Sequence, residues 1–297
     1  MNDTQKGIQE LEPEDFPLSL GEIPQPPETL YLRGTLPDPT QFYYLAVVGS
    51  RKFTNYGREA VERIIGGLAG YPICIVSGLA MGIDAIAHRA ALDAGLPTVA
   101  IPGSGLDSGV IYPRSNLALA REIVQSGGAL LSEFAPDLRA APWTFPQRNR
   151  IMAGISQSTL VIEAEEKSGT LITARLAVDY NRNVFAVPGS IFSAPSKGTN
   201  KLIRQGATPI TSAQDLLEEL GLVAPAGFNT DTAQEPLDLT LYTPEEQAIL
   251  VLLDEPLSRE EILATVSLEP ATTLSTLIIL EIKGLICEKT GKIMRIL

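Results

Sequence analysis

Histidine, cysteine and tryptophan are almost missing from these 297 residues, which hold one histidine, two cysteines and one tryptophan. A lone histidine, His88, with no cysteine cluster beside it argues against an imidazole-based metal centre. It is expected to pack in an Ala-rich helix, bonded to a nearby carbonyl or carboxylate. Cys74 sits in an apolar run and Cys287 near a candidate strand, which predicts reduced structural thiols rather than a disulfide. No apolar run reaches the length of a membrane span. The first residues, MNDTQKGIQELEPEDF, lack a basic stretch followed by an apolar core, so no signal peptide is expected and a cytoplasmic location is predicted. A Walker A sequence is also missing. Gly103-Ser104-Gly105-Leu106-Asp107-Ser108 begins like a dinucleotide-binding turn, but Ser108 stands where its third glycine belongs and Tyr112-Pro113 follows. Neither a cofactor nor a metal is expected.

A basic excess is lacking too. The chain carries 23 Lys+Arg against 35 Asp+Glu, a net charge of −12. The charge is unevenly spread. Residues 41–215 hold 16 Lys+Arg and 13 Asp+Glu, and the rest holds 7 and 22. The central part can therefore present a local basic groove, and phosphate contacts answer to local potential more than to global charge.

What is present is a regular alternation. From Tyr44 onward, short apolar strands (Tyr44–Val48, Ile73–Val76, Thr98–Ile101, Ala129–Leu131, Thr159–Ile162, Val184–Val187) alternate with helical patterns (Gly57–Leu68, Ile83–Asp93, Asn116–Val124, Ile172–Tyr180, Ala213–Leu220). Such alternation predicts an α/β fold, a Rossmann-like doubly wound, mostly parallel sheet. Residues 1–40 carry seven prolines and read as an extended arm, with Leu30–Gly34 as a short edge strand. Residues 41–220 form the Rossmann-like domain, 221–241 a linker, and 242–297 a winged-helix-like domain. In that last part, helices at Pro244–Asp254, Arg259–Val266 and Ala271–Lys283 precede strands at Leu285–Glu288 and Ile293–Ile296. Its third helix offers Lys283 but no Arg, Asn or Gln to read base edges, which favours protein interaction over groove binding.

Ligands of open α/β sheets bind at the carboxyl ends of the strands. Small and polar residues gather there. Gly49-Ser50-Arg51-Lys52 follows the first core strand, where backbone amides and a guanidinium can meet an anion. Ser77-Gly78 follows the second, and Asp84 is a candidate N-cap for the next helix. Arg148-Asn149-Arg150 follows Phe145-Pro146, so phosphate forks stand beside a ring that can stack on a base. In the competing reading one of these arginines pairs with a buried carboxylate such as Glu163, and Phe145 is core. Trp143 either stacks on a ligand or covers the core. Ser168-Gly169-Thr170 caps a helix whose N-terminus can also take an anion. Lys197, Thr199 and Asn200 sit in a polar loop, either on the ligand or merely solvated. None of these clusters supplies a nucleophile–base pair, so no catalytic residue is assigned.

Four ordered stretches resemble the DNA-processing protein A family (DprA/Smf): VVGSRKFTNYGREA at Val47–Ala60, VSGLAMGIDAIAHRAAL at Val76–Leu92, YPRSN at Tyr112–Asn116, and the segment Phe145–Ala207. The resemblance covers roughly Asp15 to Leu220, with a weaker match at the C-terminus. It implies single-stranded DNA binding, protection of incoming DNA in natural transformation, help in loading the RecA recombinase, and a homodimer. It also implies that Arg51 is the principal DNA-contacting arginine. A rival is a nucleotide-processing enzyme of the lysine-decarboxylase-like phosphoribohydrolase type. Those enzymes carry PGG-x-GT-x-x-E, and here Thr173 stands where the glutamate would be.

Overall fold

A computed structural model describes residues 7–222, 242–253, 257–283, 285–289 and 291–295. The chain divides into two compact units, Met1–Phe228 and Asn229–Leu297. In the first, the strands are β1 (Ile8–Leu11), β2 (Leu30–Gly34), β3 (Tyr43–Val48), β4 (Ile73–Ser77), β5 (Thr98–Ala100), β6 (Ala129–Ser132), β7 (Ser158–Val161), β8 (Asn183–Ala186) and β9 (Thr208–Pro209). The helices are α1 (Leu18–Gly21), α2 (Asn55–Gly66), α3 (Ile83–Asp93), α4 (Leu117–Gln125), α5 (Thr144–Ile155), α6 (Thr170–Asp179), α7 (Lys197–Arg204) and α8 (Ala213–Leu220).

All nine strands join one sheet in the order β1-β2-β6-β5-β4-β3-β7-β8-β9. From β6 through β9 every pairing is parallel, while β2 pairs antiparallel with both β6 and β1. This is the mostly parallel, Rossmann-like sheet that the alternation predicts. Residues alternate between its two buried faces, as the pleat demands. On β3, Tyr44 and Val48 enter a core shared with α1, α5 and α6, while Leu45 and Val47 enter the core under α2, α3 and α8. Leu45 is fully buried, and truncating it to alanine would cost about 2–5 kcal/mol.

The segment 1–40, expected as an extended arm, contributes β1 and β2 to the sheet edge. Two helices differ from expectation. Thr144–Ile155 is helical although its run of Pro, Gln, Arg and Asn shows no apolar period, and Lys197–Arg204 is a helix instead of a polar loop. That second helix is short and held by tertiary bonds. Gly198 N–H donates to the Ala164 carbonyl at 2.8 Å, and Ala164 N–H to that of Pro195 at 2.8 Å.

The second unit contains α9 (Pro244–Leu252), α10 (Arg259–Thr265), α11 (Pro270–Ile282) and the antiparallel hairpin β10 (Ile286–Lys289) and β11 (Lys292–Arg295). Leu257, between α9 and α10, bridges Ile293 on the hairpin. Capping boxes at Thr243–Glu246 and Ser258–Glu261 start the first two helices. The expected helix–helix–helix–hairpin order is present. Most of the expected linker lies outside the described residues, as do the expected element ends Asp254 and Ile296.

Candidate functional site

The chain steps outward from β3 through β4 and β5 to β6, then resumes at β7 on the other side of β3. Strand order therefore reverses between β3 and β7. In doubly wound sheets the crevice outside the strand ends at that reversal is where ligands bind. A cleft of about 500 Å³ opens there. Gly49, Ser50, Arg51 and Lys52, leaving β3, line it. So do Phe145, Arg148 and Asn149 from α5, and Ser168, Gly169 and Thr170 at the start of α6. Ten of the residues singled out from sequence thus share one cavity.

Local geometry explains the convergence. Ser50 folds its loop back by accepting from Lys52 N–H at 3.0 Å and donating to the Lys52 carbonyl at 2.8 Å. Gly82 precedes α3 at φ +85°, and a Cβ there would stand 2.4 Å from the Ser50 carbonyl oxygen. Only glycine fits both demands, and Ile83 N–H then donates to that same oxygen at 3.2 Å. Across the cleft, Thr170 Oγ1 donates to the Gly49 carbonyl at 3.0 Å, tying α6 to the β3 loop. Ser168 Oγ accepts from Thr170 N–H at 3.2 Å.

Two arginines meet at this place, with different surroundings. Arg51 is exposed, and its guanidinium lies 5.0 Å over the Phe145 ring. Arg148 is buried and donates through Nη1 to the Ile101 carbonyl, and its Nε has no hydrogen-bond partner among the described residues. Burial pulls the Arg148 pKa down to about 10, Asp84 opposes that shift, and the charge of Arg51 adds to it. Arg148 therefore stays cationic at neutral pH. Asp84 is buried in the first turn of α3 and also lines the cleft, while Gly82 takes the N-cap position expected for it. Burial raises the Asp84 pKa, against the Arg148 and Arg51 charges and the Ala80 and Gly78 amides. Gly78 leaves the space that Arg148 fills, since a Cβ there would sit 1.8 Å from Nη1.

His88 is buried next to this layer. Its Nδ1 bonds the Thr98 hydroxyl at 2.7 Å, Thr98 donates onward to the Ile75 carbonyl at 2.8 Å, and the ring also interacts with the Ser77 backbone. Burial brings the His88 pKa down to about 3, with the Ser77 backbone opposing and the Arg148 charge adding, so the ring is neutral.

Residues 8–221 match the model of the DNA recombination-mediator protein A family. The chain belongs to this family. It is 44% identical over 204 residues to DNA processing protein DprA of Streptococcus pneumoniae, covering 69% of this chain and 71% of that one. With Protein Smf of Escherichia coli it shares 37% identity over 245 residues, covering 82% of this chain and 63% of the relative. The solved structure of the S. pneumoniae protein matches with a TM-score of 0.67 and 42% identity over 73% of this chain and 75% of that one. DNA processing protein A of Helicobacter pylori, whose structure describes a single-stranded DNA binding mode, matches with a TM-score of 0.64 and 31% identity over 72% of this chain and 95% of that one.

Some residues expected at the site of this recombination-mediator protein lie elsewhere. Ser77 is fully buried and donates to the Val47 carbonyl at 2.6 Å. Arg150 pairs with Glu133 and donates to the Gln25 carbonyl. The carboxylate partner is thus Glu133, while Glu163 accepts from the Thr54 backbone and hydroxyl at the start of α2. Thr199 is buried and donates to the Ser196 carbonyl, and Asn200 uses both amide atoms on the Gly189 backbone. Lys197 is exposed on α7 and, like these, does not line the cleft. Trp143 is 56% exposed and packs T-shaped on Phe134.

Sequence reasoning did not count Glu165, Met152 and Thr173 among the binding residues, although they also line the cleft. A helical reading of Thr144–Ile155 would have placed Met152 one turn from Arg148. The described residues contain no cluster of three or more metal-ligating side chains, and no described helix is long and apolar enough to cross a membrane.

Proposed function

We propose that this chain binds single-stranded DNA in the cleft between the β3 and β7 ends, without chemical conversion of it. The observation that carries this reading is Arg51 stacked on Phe145 at the mouth of a cavity that also holds Arg148 and the α6 N-terminus. A fork-shaped cation takes a phosphate, a ring takes a base face, and amides at a helix start take a second anion. Such contacts read the backbone and not the sequence, so binding should be largely sequence-independent and weaken with salt. Gly49, Ser50, Lys52, Gly78, Asn149, Ser168, Gly169 and Thr170 would complete the site.

Membership of the recombination-mediator family supports the wider role: shielding incoming DNA in natural transformation and helping a RecA-type recombinase onto it, as a cytoplasmic homodimer. The C-terminal unit would act as a winged-helix-like protein-interaction module behind a linker at 221–241. The phosphoribohydrolase alternative finds little support, because Thr173 lines the cleft where a catalytic glutamate would be needed.

Fluorescence anisotropy with an oligothymidylate of about 35 nucleotides tests the reading. Salt-sensitive binding that prefers single strands over duplex and collapses in Arg51→Ala is expected. A folded wild type that binds no single-stranded DNA would overturn it.

A further inference from the structure

The loop following β8 carries a feature that the cleft does not use. Phe192 is 92% exposed and Ile191 76% exposed, side by side at the loop tip. Adjacent large apolar side chains so fully in water make an exposed patch, and such patches can mark an interaction site. The root of this loop is tied down. Tyr56 Oη donates to the Pro188 carbonyl at 2.6 Å on one side, and on the other Asn200 Nδ2 donates to the Gly189 carbonyl at 2.9 Å. Within the loop, Phe192 N–H donates to Ser190 Oγ at 3.3 Å, and Ser193 N–H to the Ser190 carbonyl at 3.0 Å. Tyr56 spends its hydroxyl on this anchor and leaves its ring 49% exposed beside it.

Position identifies the occupant. The loop leaves the carboxyl edge of β8, which pairs in parallel with β7, and β7 pairs in parallel with β3. Two strand spacings of about 4.8 Å separate β3 from β8, so the tip lies about 10 Å along the sheet edge from the Arg51 loop. That distance is within the span of the few nucleotides that single-strand-binding grooves hold. Tyr56 also stands only four residues beyond Lys52, at the start of α2, so one short segment joins the cleft lining to the residue that anchors this loop.

We propose that Phe192, with Ile191 and the Tyr56 ring, is a stacking platform for bases of single-stranded DNA that leaves the cleft along the β7–β8 edge. Two side chains and one ring face are far smaller than the roughly 800 Å² per partner of a stable protein interface. They match the area of one or two bases, and every base offers a π-face regardless of sequence. The platform presupposes the DNA-binding cleft proposed above and extends its footprint.

The test uses the full chain with oligothymidylates of increasing length, from about 4 to about 35 nucleotides, by anisotropy. Phe192→Ala should weaken binding of the long oligomer about five- to thirty-fold, with a smaller loss for the shortest. Phe192→Trp should bind like wild type and show indole quenching on DNA addition beyond that of Trp143. Leu18→Ser, a distant substitution of a residue 89% exposed, serves as the control for lost surface apolarity. Wild-type failure to bind would sink the cleft reading itself. Wild-type binding with equal affinity for Phe192→Ala at every length would overturn only the platform. So would a Phe192→Ala protein that changes oligomeric state while its DNA affinity stays unaltered, since that outcome assigns the tip to a protein partner.

Discussion

Arg51 and Phe145 are 94 positions apart in sequence, yet the guanidinium of one lies 5.0 Å over the ring of the other. The ring is itself fixed. A Cβ on Gly103 would stand 2.7 Å from it, and Tyr112 meets it edge-on with centroids 5.8 Å apart. A long, exposed arginine thus gains a defined direction from an aromatic support on another element. A planar cation over a ring face keeps its N–H edge free for a phosphate.

Removing either partner should be felt in DNA binding more than in stability. Arg51→Ala is expected to cost about 1–3 kcal/mol of binding and to make the salt dependence shallower by about one phosphate contact. Arg51→Lys should recover only part of this, because an ammonium cannot stack or fork. Phe145→Ala should lower affinity by a similar amount through lost stacking. Anisotropy titrations at two salt concentrations read all three. An unchanged slope for Arg51→Ala would remove Arg51 from the phosphate site.

Arg150 should behave in the opposite way. Its partner Glu133 has a side chain only 7% exposed, and burial raises the Glu133 pKa against the Arg150 charge. Arg150→Ala removes the charge partner of that carboxyl and leaves it the Gln147 side chain alone, at a cost of about 1–3 kcal/mol in urea unfolding. Its DNA affinity should stay within about threefold of wild type. A variant of normal stability and poor affinity would instead put Arg150 on the DNA.

The division between these two arginines also shows where sequence was legible. Strands and most helices of the first unit could be read because their apolar residues alternate or recur on a single face, as on α2 with Val61, Ile64 and Ile65. Cleft residues at Gly49–Lys52 and Ser168–Thr170 were legible because a strand end plus small polar residues is a local signature. Helix α5 was not. Its buried face includes Arg148 and Asn149 beside Ile151 and Met152, so the residues that build the site erase the apolar period that would reveal the helix. Such conflicts between pattern and fold are expected at functional positions. The partner of Arg150 was equally hidden, since no spacing links residues 133 and 150 until β6 and α5 are packed.

Gly78→Ala should test the buried layer beneath the cleft. The added methyl would fall 1.8 Å from Arg148 Nη1 and 2.5 Å from its Cζ. Arg148 is 4% exposed and cannot swing into water without leaving the Ile101 carbonyl. Displacing a buried charge from its partners costs about 3–5 kcal/mol. A fall of that size in the stability from chemical denaturation is expected. A substitution tolerated within about 0.5 kcal/mol would mean that the guanidinium has another place to go.

Acid should reveal His88. Its folded pKa of about 3 lies well below the ordinary value of about 6.5. Between these values the unfolded chain binds the proton and the folded chain does not. Stability is then fully present above about pH 6.5 and falls as pH drops, by up to about 1.4 kcal/mol per unit. Asp84, raised by burial, has the opposite sign and gains stability as pH falls through its folded pKa. The carboxyls of Asp38, Asp215, Glu246 and Glu261 are held below their usual range, so their contributions disappear at lower pH, below about 4. The window from pH 4.5 to 6.5 therefore isolates the single histidine once a variant lacking it is compared. His88→Gln can still donate to the Thr98 hydroxyl and removes the titration. Wild type should lose about 2–3 kcal/mol across this window relative to His88→Gln in urea midpoints measured at half-unit steps. Parallel curves for the two proteins would show that His88 accepts a proton in the folded state, and that the pocket around it admits water.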